Sequence, residues 1–503
     1  MSTQVKSNRV GAFPFPKSDP DERNEDFSEV QQPYNLEQAI EEAKRCLLCG
    51  TPVCMDACPV QMDVRGMCES VARGDLKTGF HRIRETNALL GVTARCCPQL
   101  QGLCEDACVM QWEGQAISIG MIQRFVSDWE REESKQPDPE AIQDSRKHVA
   151  IVGSGPAGIA AAALLRRYGH SVTIYEELST AGGTPWYGIP DYHLPKGVLE
   201  YEIQRVKDQG VEIKTGVKVG KDIKLTDLLS EGADAVLITT GPKDVIKLDT
   251  PGVDLEGVFG GYNFLEDVYV NGLESYLKNP KYDLGREILV IGGGDSALDC
   301  ARTAKRLSQG NVTIIYRRTE KELPSDPIMV EEAKEEGVEF KFLTNPKSFN
   351  ADKDDGKKLV SVTMDTMELG EPDQTGRRKP EPVPGKEFEI KCSSVLLAVG
   401  RGPNSFIQEE SGLKTGKKNS IAVDEHFRTS MESVFAAGDV TTGETLVVKA
   451  MGSGRNGAQH VHEYLAGIDD SKHISLYEQY YVQRSFEAMM AGKEEKKGIV
   501  PPP

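Results

Sequence analysis

Twice in this chain a run of aliphatic, largely β-branched residues breaks into closely spaced glycines and passes directly into a helical run. The first instance is Val149-Ala-Ile-Val-Gly-Ser-Gly-Pro-Ala-Gly, followed by a helical stretch and then Val172-Thr-Ile-Tyr-Glu. The second is Ile288-Leu-Val-Ile-Gly-Gly-Gly-Asp-Ser-Ala-Leu-Asp, followed by Val312-Thr-Ile-Ile-Tyr-Arg-Arg. Strand, tight turn, helix and second strand make a βαβ unit, which commits the chain to parallel sheets flanked by helices. Gly153 permits the turn, Gly155 lets the backbone approach a pyrophosphate, and Gly158 allows close packing of helix on strand. Gly292, Gly294 and Ala297 take the same places in the second motif, with Asp295 beside them at the start of the helix. In both, a pyrophosphate would rest on a helix N-terminus, where unpaired N–H groups and the positive dipole end point at it.

The ends of the second strands differ. Glu176 closes the first, where a carboxylate can accept both hydroxyls of a ribose. Arg317 and Arg318 close the other, a basic pair that suits a 2′-phosphate and favours NADP(H) over NAD(H). The competing reading makes both arginines solvated surface residues.

Further strand-like runs, Val236-Leu-Ile-Thr and Val395-Leu-Leu-Ala, extend the alternation. Thr239-Thr-Gly-Pro-Lys and Leu397-Ala-Val-Gly-Arg-Gly-Pro-Asn each end a strand with Gly and Pro at a tight crossing. Val434-Phe-Ala-Ala-Gly-Asp-Val sets Gly438 and Asp439 after a buried strand. With the other phrases it resembles the second FAD fingerprint of the two-dinucleotide flavoproteins, which implies that the acid binds the ribityl–phosphate arm and that the next helix N-terminus faces the ring.

The sulfur chemistry sits elsewhere. Nine of the eleven cysteines fall between Cys46 and Cys108, on a segment whose apolar residues recur at helical spacing (Ala39, Ala43, Leu47; Ile117, Met121, Ile122, Phe125). They form two arrays, Cys46-x2-Cys49-x4-Cys54-x3-Cys58-Pro59 and Cys96-Cys97-Pro98-x5-Cys104-x3-Cys108. Thiolates at such spacings converge on soft metal centres, iron–sulfur clusters or zinc. Electron carriers explain a flavin neighbour and structural zinc does not. Cys68, Cys300 and Cys392 read as small buried apolar residues. No cysteine lies between Cys108 and Cys300, so a redox cysteine pair in the flavin domain is ruled out, and the arrays supply the other exit for electrons.

At 503 residues the chain has room for about three compact units. Its composition, 38% hydrophobic and 27% charged, is that of a globular protein, and its net charge of −18 argues against a broad nucleic-acid-binding surface. Val149 to Leu165 is interrupted by glycine and proline, and no span of about 20 apolar residues is present. Met1-Ser-Thr-Gln-Val-Lys lacks the apolar core of a signal peptide, so a reducing, cytoplasmic setting is expected. The expected fold is α/β: two Rossmann-like dinucleotide-binding domains, for FAD and NADPH, preceded by an α-helical iron–sulfur domain. The expected divisions are 1–145 for the helical domain, 146–285 and 395–470 for the FAD domain, 286–394 for the NADPH domain and 471–503 for a tail. Residues 1–35 are expected to form an extended arm, Glu133-Ser-Lys-Gln-Pro-Asp-Pro-Glu a linker, and residues 350–358 a surface excursion.

The ordered motifs resemble the family of the small (beta) subunit of NADPH-dependent glutamate synthase. The N-terminal half of dihydropyrimidine dehydrogenase and the large subunit of the ferredoxin:NADP bifurcating transhydrogenase are similar. The resemblance rests on Cys46-Leu-Leu-Cys-Gly, Leu103-Cys-Glu-Asp-Ala-Cys, Gly292-Gly-Gly-Asp-Ser-Ala-Leu-Asp-Cys, Tyr316-Arg-Arg and Gly438-Asp-Val. It implies one [4Fe–4S] cluster on Cys46, Cys49, Cys54 and Cys108, and another on Cys58, Cys97 and Cys104 with Gln123 as the non-cysteine ligand. Glutamate stands at that last place in many relatives, and glutamine in the pyrimidine-reducing branch. The Cys97–Cys104 gap is one residue longer than in the family, which leaves Cys96 or Cys97 as the ligand. The loop Gly182-Gly-Thr-Pro-Trp-Tyr-Gly-Ile-Pro resembles the family's flavin-side loop and puts Gly183 and Gly188 among the cofactor residues, although Trp186 and Tyr187 also suit core packing.

The resemblance implies electron flow from NADPH through FAD and two clusters to a large, electron-accepting subunit, with no side chain needed as acid or base. In a glutamate synthase that partner makes glutamate from glutamine and 2-oxoglutarate. The alternatives are a reductase subunit serving bifurcation, pyrimidine reduction or sulfide dehydrogenation and, from another class, a redox-sensing iron–sulfur binding protein.

Overall fold

A computed structural model describes residues 15–135, 144–246, 248–372, 378–403 and 406–476. The ends of the expected arm and tail, and most of the expected linker, lie outside these residues.

Five longer helices, Leu36–Lys44, Val64–Ala72, Leu76–Arg84, Leu90–Cys96 and Ile119–Trp129, and the single turn Val53–Asp56 build the described part of the cysteine-bearing module. Their starts follow from local chemistry. Asn35 and Gln38 exchange side-chain and backbone hydrogen bonds in a capping box, and Asp63 and Asp75 each accept an orphan N–H of the helix that follows. The cysteines lie largely in the irregular connections between these helices, where the backbone is free to aim several thiols at one point.

The first parallel sheet has the order Val434–Ala436, Ala235–Ile238, His148–Val152, Ser171–Glu176, Val211–Thr215. Helix α1 (Pro156–Arg167) follows its first strand, with Pro156 at the first helical position, where a missing N–H costs nothing. The second parallel sheet has the order Val258–Gly260, Ser394–Leu397, Glu287–Ile291, Asn311–Ile315, Glu339–Lys341, with helix α2 (Asp295–Ser308) after the strand Glu287–Ile291. Two expected boundaries move accordingly. The run Val395-Leu-Leu-Ala, expected to reopen the FAD domain, pairs with Glu287–Ile291 in the second sheet, and residues 258–260, expected in the first unit, form its edge. The chain crosses between units at an antiparallel ribbon of Pro242–Val245 and Arg401–Pro403, the two Gly-Pro phrases of the sequence.

A three-stranded antiparallel sheet, Thr344–Ala351, Leu359–Pro372 and Arg378–Lys391, was not anticipated. Its inner side chains Phe349, Val362 and Met364 pack on Leu289, Ile291 and Ile315, so it covers one face of the second sheet, while helices including α2 cover the other. The expected excursion at 350–358 includes the turn of its first hairpin.

The long helix α3 (Val447–Ala466) packs back across α1. A Cβ on Gly454 would lie 2.1 Å from the carbonyl of Ala157, so only glycine permits this crossing. The described part of the N-terminal arm is not free. Val30 N–H donates to Tyr192 O at 2.9 Å, and Arg23 pairs with Glu335 at 2.7 Å.

The helical module and the first unit share one core, which runs from Met67, Leu90 and Ile122 to Ile159, Leu199 and Met451. Buried ion pairs pin the seam: Arg84 with Glu202 and Arg205 with Glu130, both at 2.5 Å, while Gly91 N–H donates to Glu202 at 2.7 Å. Among the described residues no helix is long and apolar enough to cross a membrane.

Candidate functional site

Both glycine motifs fold as strand, turn and helix, and they are built alike. Gly153 has φ +101°, and a Cβ there would lie 2.8 Å from Thr239 O; a Cβ on Gly158 would lie 2.1 Å from Gly153 O. Around Gly155, by contrast, nothing comes within 4 Å of the Cβ position. In the second motif a Cβ on Gly292 would meet Ala398 O at 2.2 Å, while Gly294 again faces open space. Each loop is thus closed by its own backbone on one side and open at the middle glycine, which fits a pyrophosphate at the N-terminus of α1 or α2.

Around the first loop, Glu176 is buried and already engaged. Its Oε2 accepts Ser154 N–H at 2.9 Å and Ser154 Oγ at 2.6 Å, and its Oε1 accepts Leu178 N–H at 2.9 Å. A carboxylate has about four acceptor positions, so one remains for a ribose hydroxyl rather than the two expected from sequence. Gly183, at φ +62°, brings the following loop against Gly155, where a Cβ would stand 2.7 Å from the Gly155 Cα. Trp186 is buried and Tyr187 meets Tyr262 edge-on at 5.8 Å, so packing accounts for much of both rings, while Gly188 lines the larger cleft described next.

That cleft, of about 930 Å³, lies between the units and collects Pro156 from the first motif, Gly292, Gly294, Asp295, Arg317 and Arg318 from the second, and Asp439. A smaller cavity lined by Gly153, Gly155, Glu176 and Gly183 shares Pro156, Thr184, Asp439 and Ala450 with it, so the first cradle opens into the cleft. Gly438, at φ +77°, donates its N–H to Ser453 Oγ at 2.8 Å and turns the chain so that Asp439 faces both cavities. Burial pushes the Asp439 carboxyl up to about 6, with a hydrogen bond from Thr445 Oγ1 at 2.5 Å opposing the shift. Burial also raises Asp295, which accepts Asp326 N–H at 3.0 Å. Arg317 is exposed at the cleft edge, whereas Arg318 is buried with its Nε donating to Arg378 O at 3.1 Å.

Two groups in the same cleft, His193 and Asp299, carry no local sequence signal. His193 Nε2 is within 3.0 Å of Arg95 O, so it carries the proton and leaves Nδ1 as an acceptor, buried and without a partner. Asp299 Oδ1, equally unpartnered, lies 4.0 Å away. Burial lowers His193 to about 4 and raises Asp299 well above its usual range.

The thiols form two groups. Cys46, Cys49, Cys54 and Cys108 line one small cavity, and burial together with Cys108, Cys46 and Cys49 pushes Cys54 up to about 12. Cys68, expected to be a bystander, lines the same cavity, and its hydrogen bond holds Cys46 down to about 7. In the second group, burial raises Cys97, with Cys58 adding to the effect, and raises Cys104, with Glu105, Cys58 and Cys97 adding to it. Cys96 instead feels Asp299, Arg95 and Lys196, so of the adjacent pair it is Cys97 that turns toward Cys58 and Cys104. Gln123 is buried on the neighbouring helix. Its Nε2 donates to Leu90 O at 2.9 Å and Thr93 Oγ1 at 2.8 Å, which fixes the amide orientation, and Thr93 O in turn accepts Cys97 N–H. Cys104 lies within electrostatic reach of Cys54, so the two groups are neighbours. The second group adjoins the cleft through Cys97 and Pro98. The first lies toward the surface beside Leu47 and Val53, 61% and 37% exposed.

Comparison with known proteins agrees with this division. Residues 147–454 match the pyridine nucleotide-disulphide oxidoreductase family, and residues 23–135 match the 4Fe-4S cluster domain II of dihydropyrimidine dehydrogenase. The putative oxidoreductase AegA of Escherichia coli K12 is 35% identical over 92% of this chain and 72% of its own length. The small chain of NADPH glutamate synthase from the same organism is 34% identical over 88% of this chain and 95% of its own. Among solved structures, Mycobacterium tuberculosis FprA in complex with NADPH shares the fold at 19% identity and a TM-score of 0.53, over 67% of this chain and 89% of that one.

Proposed function

The chain belongs to the pyridine nucleotide-disulphide oxidoreductase family and is an NAD(P)H-dependent iron–sulfur flavoprotein reductase; from that premise we propose that it is the small subunit of a glutamate-synthase-type assembly, passing electrons from NADPH to a large partner. One observation carries the reading. The two nucleotide cradles open on one cleft, the Cys58/Cys97/Cys104 group borders that cleft, and the Cys46/Cys49/Cys54/Cys108 group lies between it and the surface.

In this reading Gly153, Gly155 and Gly158 with Glu176, Gly183, Gly188, Gly438 and Asp439 hold FAD. Gly292, Gly294, Asp295 and Ala297 hold the NADPH pyrophosphate, and Arg317 and Arg318 its 2′-phosphate. The thiol groups, the second completed by Gln123, hold two [4Fe–4S] clusters. Bound flavin accepts a hydride pair from reduced nicotinamide, and iron–sulfur clusters carry electrons singly. The protein's task is placement, so no acid or base is required of it. His193 Nδ1 and Asp299 Oδ1, facing each other across 4.0 Å, offer two acceptors suited to the two N–H bonds of the nicotinamide carboxamide. The exposed Leu47 and Val53 beside the outer thiols suit an apolar partner surface. The reducing cytoplasm is the setting that such unpaired thiols need.

The test is anaerobic addition of NADPH to flavin-loaded protein, followed by capture of the native partner. Bleaching of the flavin absorbance and recovery of a glutamate-synthase-type large subunit are expected. Unchanged flavin absorbance would overturn the reductase reading and favour a redox sensor. Gln123 supports a second reading, in which the same module serves another acceptor, such as a pyrimidine-reducing partner; recovery of that partner would decide for it.

A further inference from the structure

Far along α3 from the cleft, three side chains from two segments converge. His460 and Glu463 lie on α3, and His473 follows the short turn Asp470–Lys472. His473 Nδ1 is 2.9 Å from each Glu463 oxygen, and His460 Nδ1 is 3.2 Å from Glu463 Oε2. One ligand atom from each residue lies within 4.8 Å of the others. The imidazoles stack at 4.5 Å with an interplanar angle of 19°, which turns both Nδ1 atoms toward the same carboxylate. Two ligands of a tetrahedral ion with bonds of 2.0–2.1 Å stand about 3.3 Å apart, close to these nitrogen–oxygen separations.

The surroundings favour a ligand set over a simple hydrogen-bonded trio. Gln459 Nε2 donates to Glu463 Oε1 at 2.9 Å and to Ile474 O at 2.6 Å, the outer support that orients a metal-binding carboxylate. His426 stands edge-on to His460 at 5.1 Å, with its Nδ1 buried and unpartnered. Arg428, the nearby cation, is taken by Asp470 through two bonds of 2.7 and 2.8 Å.

We propose that His460, Glu463 and His473 bind one divalent transition-metal ion of the zinc class, with water in the fourth position. Binding moves each ring proton from Nδ1 to Nε2, so the nitrogen lone pairs and the carboxylate replace their mutual hydrogen bonds with metal bonds. The ion would clip the segment after Asp470 onto α3, independently of the cysteine groups.

The experiment is equilibrium dialysis of the flavin- and cluster-loaded full chain against Zn²⁺, with zinc and iron measured together. One zinc per chain is expected in the unaltered protein at full iron content. His473→Ala, at a half-buried position, should lose that zinc and keep its iron. Zinc should also raise the melting temperature of the unaltered protein and leave that of His473→Ala unchanged. Equal zinc in His473→Ala, or none in the unaltered chain, would overturn the proposal; Glu463→Gln serves as the second variant if His473→Ala is poorly folded.

Discussion

Arg455 Nη1 donates to the carbonyl of Val60 at 2.8 Å, two residues beyond Cys58, so a side chain of α3 grips the loop that carries a candidate cluster ligand. The same nitrogen also donates to Thr86 O, the guanidinium is only 7% exposed, and burial lowers it to about 10. Arg455→Met would leave two buried carbonyls unpaired, at a cost of about 2–4 kcal/mol, read as a fall in melting temperature. It would also remove a cation beside Cys58, so the potential of the inner cluster should become more negative. Arg455→Lys should restore most of the potential and less of the stability. An unmoved potential in Arg455→Met would refute the electrostatic role.

Coenzyme choice should follow the exposed arginine. Arg317→Gln is expected to weaken NADP⁺ binding about tenfold to a hundredfold and to leave NAD⁺ within about threefold, measured by titration of oxidised enzyme. Arg318→Gln also disturbs the bond to Arg378 O, so some loss of stability should accompany its effect. Equal losses for both coenzymes would count against the 2′-phosphate role.

Gln123→Ala should alter one cluster only. Loss or spectral change of that cluster in electron paramagnetic resonance, with NADP⁺ affinity unchanged, is the expected result. Identical spectra in variant and unaltered protein would make Gln123 a packing residue of its helix pair.

Asp439 gives a pH dependence with a definite sign. Its folded-state pKa, about 6, lies above the ordinary value of 3.8. Its stabilising contribution is therefore full below the ordinary value and is lost as pH rises through 6, a difference of about 3 kcal/mol by pH 7. In flavin-stripped protein, Asp439→Asn should match the unaltered chain near pH 4 and melt higher near pH 7. Parallel curves from pH 4 to 7 would show that the carboxyl is not perturbed.

The parallel sheets were legible because strand, glycine turn and helix each leave a local mark, as at Val149–Gly158 and Ile288–Ala297. The antiparallel strand Arg378–Lys391 was not: it is polar, exposed and carries three prolines, and its pairing with the preceding strand Leu359–Pro372 is interrupted by register shifts. Spacing identified the thiols but could not orient neighbours, so the choice between Cys96 and Cys97 depended on how Leu90–Cys96 ends. His193 and Asp299 were invisible for another reason. Each is ordinary in its own segment, and only the meeting of the units sets them 4.0 Å apart. Glu176 shows the converse, a correct motif residue whose bonding capacity is largely used by its own loop.

Gly452 of α3 meets the cysteine module so closely that a Cβ would lie 2.5 Å from Pro59 O. Together with Arg84–Glu202, Arg205–Glu130 and the continuous core, this fixes the cysteine module to the first unit by packing. A chain supplied as two polypeptides, broken between residues 135 and 144, should therefore assemble into one particle with its redox wiring intact. The flavin half made alone should expose apolar surface and aggregate. The conductor is soldered to the catalyst, and a swinging-arm mode of electron delivery is closed to it.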